Sequence, residues 1–230
     1  MERLIKKLYH HPLISRIFHT LVYFLQKELK DCQSVLDLGC GPSSPLQYCQ
    51  NIKYSIGVEA YKPYLVESKN KKIHTKYLNK KIEELNFPEK SFDAVIMIEV
   101  IEHLTKEEGW EITKKAEKWA KKKVIVTTPN GFWHQKVLDN NLWQRHLSGW
   151  SPQDFYQRDY RVSGLSGCKF LRKESENDTM KSDLLSPVRF KPKMFWFCVL
   201  TLSQVLVYRF PKLAFELFCV KDKDCLSRHE

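Results

Sequence analysis

With 230 residues, 43% of them apolar and 28% charged, the chain has the make-up of one globular domain with decorated ends, which argues against wholesale disorder and against a polytopic membrane protein. Its formal net charge of +11 points toward anionic partners, nucleic acid or an acidic lipid surface, without choosing between them. Seven cysteines with no CxxC pair and no secretory signal ahead of them read as reduced thiols in a cytoplasmic setting and leave a zinc site without its usual paired ligands.

The first 31 residues set Leu4, Leu8, Ile14, Phe18, Leu21, Val22 and Leu25 at helical intervals, with Lys6, Lys7, Arg16 and Lys27 between them and Pro12 dividing the run. Such a segment either covers an edge of the core or lies as a basic amphipathic helix on a membrane or over a ligand. A domain is expected to follow over 32–230. VLDLGCGPSS at 35–44 has the pattern of a buried strand, a glycine loop and a helix start, with Ser44 as cap and Pro45 at the first helical position. Gly39 and Gly41 would let a ligand approach the main chain.

Residues 54–59 read as a second strand ending on Glu59, twenty residues past Gly39, where a dinucleotide-like fold sets an acid to hold ribose hydroxyls. A third strand over 73–78 is blurred by Lys69, Lys71, Lys72, Lys80 and Lys81, either a solvated face or a phosphate-tracking surface. Residues 91–99 form an almost continuous apolar run, as expected of a parallel strand buried on both faces. An amphipathic helix over 106–121, a strand over 124–128 and the turn sequence TTPNG at 127–131 follow. Strands alternating with helices predict a doubly wound, mostly parallel α/β sheet whose ligand sits beyond the carboxyl ends of the strands.

Four pieces, DLGCG at 37–41, IGVEAY at 56–61, FPEKSFDAVIMIEVIEHL at 87–104 and VIVTTPNG at 124–131, together resemble the class I S-adenosylmethionine (SAM)-dependent methyltransferases over about residues 35–131. The resemblance implies a Rossmann-like seven-stranded sheet and SAM as cofactor. Carried over by position, it implies that Asp37, Gly39, Cys40 and Gly41 face the methionine end, that Glu59 and Ala60 meet the ribose, that Ile82 meets the adenine, and that Glu99 and Val100 lie beside the transferring methyl. Lys81 stands where such sequences usually carry an acid, so either Glu83 or Glu84 takes that role or backbone groups hold the base alone. A nicotinamide-dependent dehydrogenase is the rival within the fold, but its third glycine would fall on Ser44. A non-catalytic SAM-binding interaction protein would share the same motifs.

SAM carries its methyl on a sulfonium, so the protein must align the acceptor and, for a hydroxyl, remove a proton. Glu99, Glu102 and His103 form an ExxEH cluster in which His103, with Glu102 beside it, is the candidate general base. The same acids ahead of Lys106 would equally suit a helix N-terminus. With His146 they are also a candidate ligand set, Glu99, Glu102, His103 and His146, for a divalent cation. In this the chain resembles the small-RNA 3′-terminal 2′-O-methyltransferases and, more loosely, the ubiquinone-pathway O-methyltransferases. His146 reads otherwise as a loop residue packed against Trp150. Residues 132–160, with Phe132, Trp133, His134, Trp143 and Trp150, follow the fifth strand, where the family places its acceptor pocket.

Residues 161–168 and 214–220 are expected to add two strands, as is common in that family, with a polar loop over 173–186 between them. An apolar helix over 190–211, bracketed by Lys191, Lys193 and Arg209, is short for a bilayer span and must bury against core, partner or lipid, or receive an apolar acceptor chain. The favoured function is O-methylation of a small, lipid-linked or glycan-type acceptor, in the cytoplasm and with peripheral membrane contact. The alternative is a metal-using RNA 2′-O-methyltransferase. The sequence leaves the oligomeric state open.

Overall fold

Two neighbouring strands show how the sheet is built. β1 (Ser34–Leu38) and β4 (Phe92–Ile98) pair in parallel, and their side chains alternate between two apolar layers. Leu36, Leu38, Val95 and Met97 pack on one face, and Val35, Ala94 and Ile96 on the other. The period of two sorts them, and the near-absence of polar residues follows because both faces are covered. This computed structural model describes residue 16 and residues 18–135, 137, 139–173 and 185–223. Most of the expected N-terminal helix, at 1–15 and 17, and the 174–184 part of the polar loop lie outside these residues.

The strands β1, β2 (Tyr54–Val58), β3 (Lys76–Leu78), β4, β5 (Ala120–Pro129), β6 (Arg161–Cys168) and β7 (Ala214–Asp222) form one seven-stranded sheet in the order β3-β2-β1-β4-β5-β7-β6. The first five are parallel, and β7 runs antiparallel to both β5 and β6. α1 (Leu21–Glu28) covers one face through Phe24 and Leu25. α3 (Lys106–Trp119) and the short α4 (Pro152–Tyr156) cover the other through Ile112, Ala116, Trp119 and Phe155. α2 (Lys62–Asn70) buries Tyr64 and Leu65. α5 (Lys193–Val207) lies between β6 and β7 in sequence and packs on β6.

Three expectations are corrected. The helix after the glycine loop is only a 3₁₀ turn, Pro45–Tyr48, although Ser44 caps it as read, accepting from Leu46 N at 3.1 Å. The stretch between β1 and β2 offers no apolar repeat to bury a longer helix. The acids ahead of Lys106 do not start α3. Thr105 and Glu108 form its capping box, with Glu107 also in the first turn, and Glu102 stands apart in the 3₁₀ turn Ile101–His103. Finally, α5 is not apolar all round, since its buried side carries Gln204 beside Leu200 and Val207. Among the described residues no helix is long and apolar enough to cross a membrane.

Candidate active site

β1 runs into a loop whose two glycines both adopt left-handed backbone, Gly39 at φ 68° and Gly41 at φ 56°. A Cβ at Gly39 would lie 2.7 Å from Val100 Cγ2, whereas at Gly41 it would meet nothing within 4 Å. The first glycine therefore allows β1 and the end of β4 to close up, and the second turns its backbone toward open space. Asp37 is buried, and its Oδ2 accepts from Ser44 Oγ at 2.5 Å. His74 Nε2 lies 3.5 Å from the same oxygen. That contact would be an ion pair if both groups were charged, but burial drives both toward neutrality, the Asp37 carboxyl up to about 7 and the His74 imidazole down to about 4. The neutral pair fits the surroundings better, because neither His74 ring nitrogen has a hydrogen-bond partner.

Glu59 joins this loop to the end of β2. Its Oε2 accepts from Gly41 N at 3.1 Å and its Oε1 from Tyr61 N at 2.8 Å. Asn79 Nδ2 fixes the same turn by donating to the carbonyls of Glu59 and Ala60. Burial raises the Glu59 carboxyl above the ordinary range, against the pull of its backbone donors. A carboxylate has about four acceptor directions, so capacity remains for hydroxyls beyond these backbone donors. Ile82 is buried, and Glu83 and Glu84 are exposed. Lys81 Nζ stacks over Trp143, 4.6 Å from the ring centroid, so the position expected to hold an acid instead receives the segment that follows β5.

At the end of β4, Glu99 has φ 55°, a conformation that costs a non-glycine residue energy and that gathers at functional sites. Thr127 Oγ1 donates to its Oε1 at 3.1 Å. Glu102, three residues on, is buried close to the Thr128 and Glu99 side chains, and among the described residues neither of its carboxyl oxygens makes a well-formed hydrogen bond. The backbone N–H groups of Leu147 and Ser148 donate to the Glu102 carbonyl at 2.7 and 3.1 Å, which brings His146 against this turn. The rings of His103 and His146 lie 4.9 Å apart. One ligand atom each from Glu102, His103 and His146 falls within 4.8 Å of the others, a group that does not include Glu99.

The histidines are already oriented. His103 Nδ1 lies 3.2 Å from the Arg145 carbonyl and His146 Nδ1 2.6 Å from the Trp133 carbonyl. A carbonyl only accepts, so each Nδ1 carries the proton and each Nε2 keeps its lone pair, the tautomer in which histidine ligates a metal. Burial lowers both imidazoles, His103 to about 4 with His146 adding to the effect, so both are neutral at pH 7. Burial raises the carboxyls, Glu102 to about 8 and Glu99 well above its usual range, the latter also pushed by the charges of Glu102 and Glu216. Glu216 comes from β7, in register with Pro129, and accepts from Ser166 Oγ at 2.7 Å. Neither Glu216 nor Ser166 was readable in the sequence, because both reach the crevice through the antiparallel register of β6 and β7.

The aromatic segment after β5 divides. Trp150 is fully buried against Trp110 and Phe155, and a Cβ at Gly109 would lie 2.6 Å from it, so it packs the core rather than lining a pocket. Among the described residues its ring partners are Trp110 and Phe155, whereas His146 meets the ring of His103. Phe132 and Trp143 are exposed, Trp133 packs on Phe215, and Tyr61 and Tyr64 donate to Asp139 O and Oδ2 at 3.0 and 2.8 Å. This segment thus spans from β5 to the residues after β2 and β3.

Sheet order, glycine loop and the carboxylate at the end of β2 make up the fold that class I SAM-dependent methyltransferases share. Residues 36–127 match the family model described as a methyltransferase domain. No curated protein matches the sequence. The fold is similar to that of a SAM-dependent methyltransferase from Archaeoglobus fulgidus, 18% identical over 92% of this chain and 98% of that one with a TM-score of 0.53. It is also similar to the plantazolicin methyltransferase BpumL in complex with SAH, 12% identical over 96% and 89% with a TM-score of 0.54. The small RNA methyltransferase HEN1 is 16% identical over 86% of this chain and 25% of its own, with a TM-score of 0.54.

Proposed function

We propose that the protein transfers the methyl group of SAM to a hydroxyl of a small, lipid-linked or glycan-type acceptor, with a divalent cation held by Glu102, His103 and His146. The observation that carries this reading is the cluster of the buried Glu102 carboxyl, which makes no well-formed hydrogen bond among the described residues, with two neutral imidazoles whose Nδ1 atoms are turned to carbonyls and whose Nε2 lone pairs remain for a ligand. An unpaired buried carboxylate costs about 1–3 kcal/mol or more, and a native protein keeps one where a ligand completes it. A divalent cation bound there would supply Lewis acidity that lowers the pKa of an acceptor hydroxyl.

The remaining tasks fall to the chain itself. The Gly39–Gly41 backbone and the Asp37–Ser44 pair shape the cradle for the methionine end, and Glu59 keeps acceptor capacity for the ribose. Glu99 and Val100 border the space for the reacting methyl, and Phe132 and Trp143 offer apolar surface that restricts water. Since the sulfonium is already activated, in-line placement is the main requirement. His103 Nε2 is unprotonated at neutral pH and so also has the form a general base needs.

A second reading, transfer to an RNA 2′-hydroxyl, is favoured by the net charge of +11, and uses the same chemistry. The exposed apolar side of α5 speaks against it. A labelled-SAM assay on lipid, glycan and RNA fractions, with EDTA and then with added Mg²⁺ or Mn²⁺, tests both. Label in lipid or glycan that falls more than about 100-fold with EDTA and returns with metal is the expected result. Label in RNA alone selects the second reading. EDTA-insensitive turnover removes the cation and leaves His103 as base, and SAM binding with no labelled fraction leaves a non-catalytic protein.

A further inference from the structure

α5 presents one face to β6 and another to no element among the described residues. On the inner face Leu200, Gln204 and Val207 are buried, Gln204 accepts from Gly167 N at 2.8 Å and donates to the Gly164 carbonyl at 3.0 Å, and a Cβ at Gly167 would lie 2.6 Å from the Leu200 carbonyl. The helix backbone therefore rests directly on the strand, in one fixed rotation. That rotation turns Phe195, Leu202, Val205 and Leu206 outward, with Phe195 58% and Leu202 63% exposed, and Phe210 and Leu213 continue the exposed apolar surface past the helix end. Spacings of three, four and seven residues place the outward set on a single stripe.

Along residues 185–215 the charges in and beside this stripe are all of one sign. Lys191 and Lys193 stand at its start, Arg209 and Lys212 at its end, nothing charged lies between Lys193 and Arg209, and residues 185–215 contain no Asp or Glu. We propose that this face docks on an anionic lipid bilayer, with α5 lying in the plane of the interface and the terminal cations meeting lipid phosphates. At about 22 Å the helix is shorter than a hydrocarbon core of about 30 Å, so it lies on the membrane rather than across it. The charge pattern selects lipid over a second copy of the chain. A two-fold dimer through α5 would bring cations of one copy against cations of the other, with no acid in the segment to pair with them.

The docking face is tied to the catalytic end of the sheet. Asn130 Nδ2, in the turn that leads from β5 into the aromatic segment, lies within hydrogen-bonding distance of the Pro211, Lys212 and Ala214 carbonyls at 2.8–3.1 Å. A membrane-borne acceptor would reach the crevice on that side. This last step rests on the lipid-linked acceptor proposed above, whereas the docking itself does not.

Flotation of the full chain with phosphatidylcholine vesicles, with and without phosphatidylglycerol, tests the docking. At least about tenfold more protein should float with the anionic lipid, and high salt should reduce the difference. Leu202→Asp with Leu206→Asp should lower flotation at least about tenfold, and Arg209→Ser with Lys212→Ser at least about fivefold, both with SAM affinity by calorimetry unchanged. If the aspartate pair loses SAM affinity, the serine pair alone decides. Equal binding to neutral and anionic vesicles, or flotation indifferent to the serine pair, overturns the proposal. So does a dimer in sedimentation equilibrium that the aspartate pair dissolves while wild type ignores vesicles. Unchanged turnover of the variants on a detergent-dispersed acceptor separates failure of docking from failure of the methyltransfer reading.

Discussion

The two ends of the sheet treat charge in opposite ways. At the amino ends of the parallel strands, Asp93 accepts from the Gln33 and Ser34 N–H groups at 2.8 and 3.2 Å, Lys123 meets Glu28 at 3.3 Å, and Arg161 bridges Glu28 and Asp222 at 3.1 and 2.9 Å. There burial works against ionisation, but the partners win, so Asp93 is held below its ordinary pKa and Lys123 above its own. At the carboxyl ends burial prevails. Glu102 makes no well-formed hydrogen bond among the described residues and is raised to about 8, burial drives Asp37 and His74 each toward neutrality, and Glu99 sits in strained backbone. Charge satisfied within the chain stabilises it, and charge left unsatisfied where the topology gathers ligands points to function.

The largest effect expected from this contrast is at Glu102. Glu102→Gln should lower turnover by about a thousandfold or more, since it removes a candidate ligand, and should abolish Mn²⁺ binding followed by electron paramagnetic resonance. Its thermal midpoint near pH 7 should stay level, because the amide replaces a carboxyl of the same shape that burial already keeps mostly neutral. A large drop in stability would place Glu102 with the structural charges and end the contrast. Glu59→Ala comes next, with SAM affinity by calorimetry reduced by about 10- to 100-fold through loss of charge-assisted hydrogen bonds. Lys123→Met should do the reverse. It leaves the buried Glu28 with Arg161 alone, which should cost about 1–3 kcal/mol in denaturant unfolding, with SAM affinity unmoved.

How much of this was legible in the sequence depends on the range of the interaction. The strands over 34–38, 54–58 and 92–98 were readable because burial on both faces leaves continuous apolar runs, and the mostly parallel seven-stranded order follows from the family resemblance. The glycine loop was readable as well, since two left-handed residues call for glycine. The missing helix after Pro45 was not, because the local cap signal of Ser44 is the same for one turn as for four. The grouping of Glu102 and His103 with His146 was expected from residue types and the family resemblance, with Glu99 added to it, and in the fold it rests on two backbone hydrogen bonds from Leu147 and Ser148, about forty residues away in sequence. Glu216 reaches the crevice by strand register alone. Trp150, grouped with the pocket by its composition, is core because Gly109 makes room for its ring.

The smallest expected effect is the most discriminating for the glycine loop. Asp37 has a folded pKa raised to about 7, so the native state keeps a proton that the unfolded chain releases near pH 4, and stability from this group falls as pH rises from 4 through 7. His74 works in the opposite sense. Its folded pKa is lowered to about 4, so the unfolded chain takes up a proton first, and stability from it falls as pH drops from 6.5 through 4. Between those limits the two slopes cancel in the wild type. Asp37→Asn keeps a hydrogen-bond acceptor for Ser44 and removes only the titration of the acid, leaving His74 unopposed. The variant should therefore gain on the wild type steadily from pH 4 to pH 7 in denaturant midpoint and hold that gain above pH 7, while binding SAM about fivefold more weakly. A gap that does not change with pH would mean that Asp37 is ionised throughout this range. The 3.5 Å contact with His74 would then be a true ion pair, and the glycine loop would rest on the same paired charges as the opposite end of the sheet.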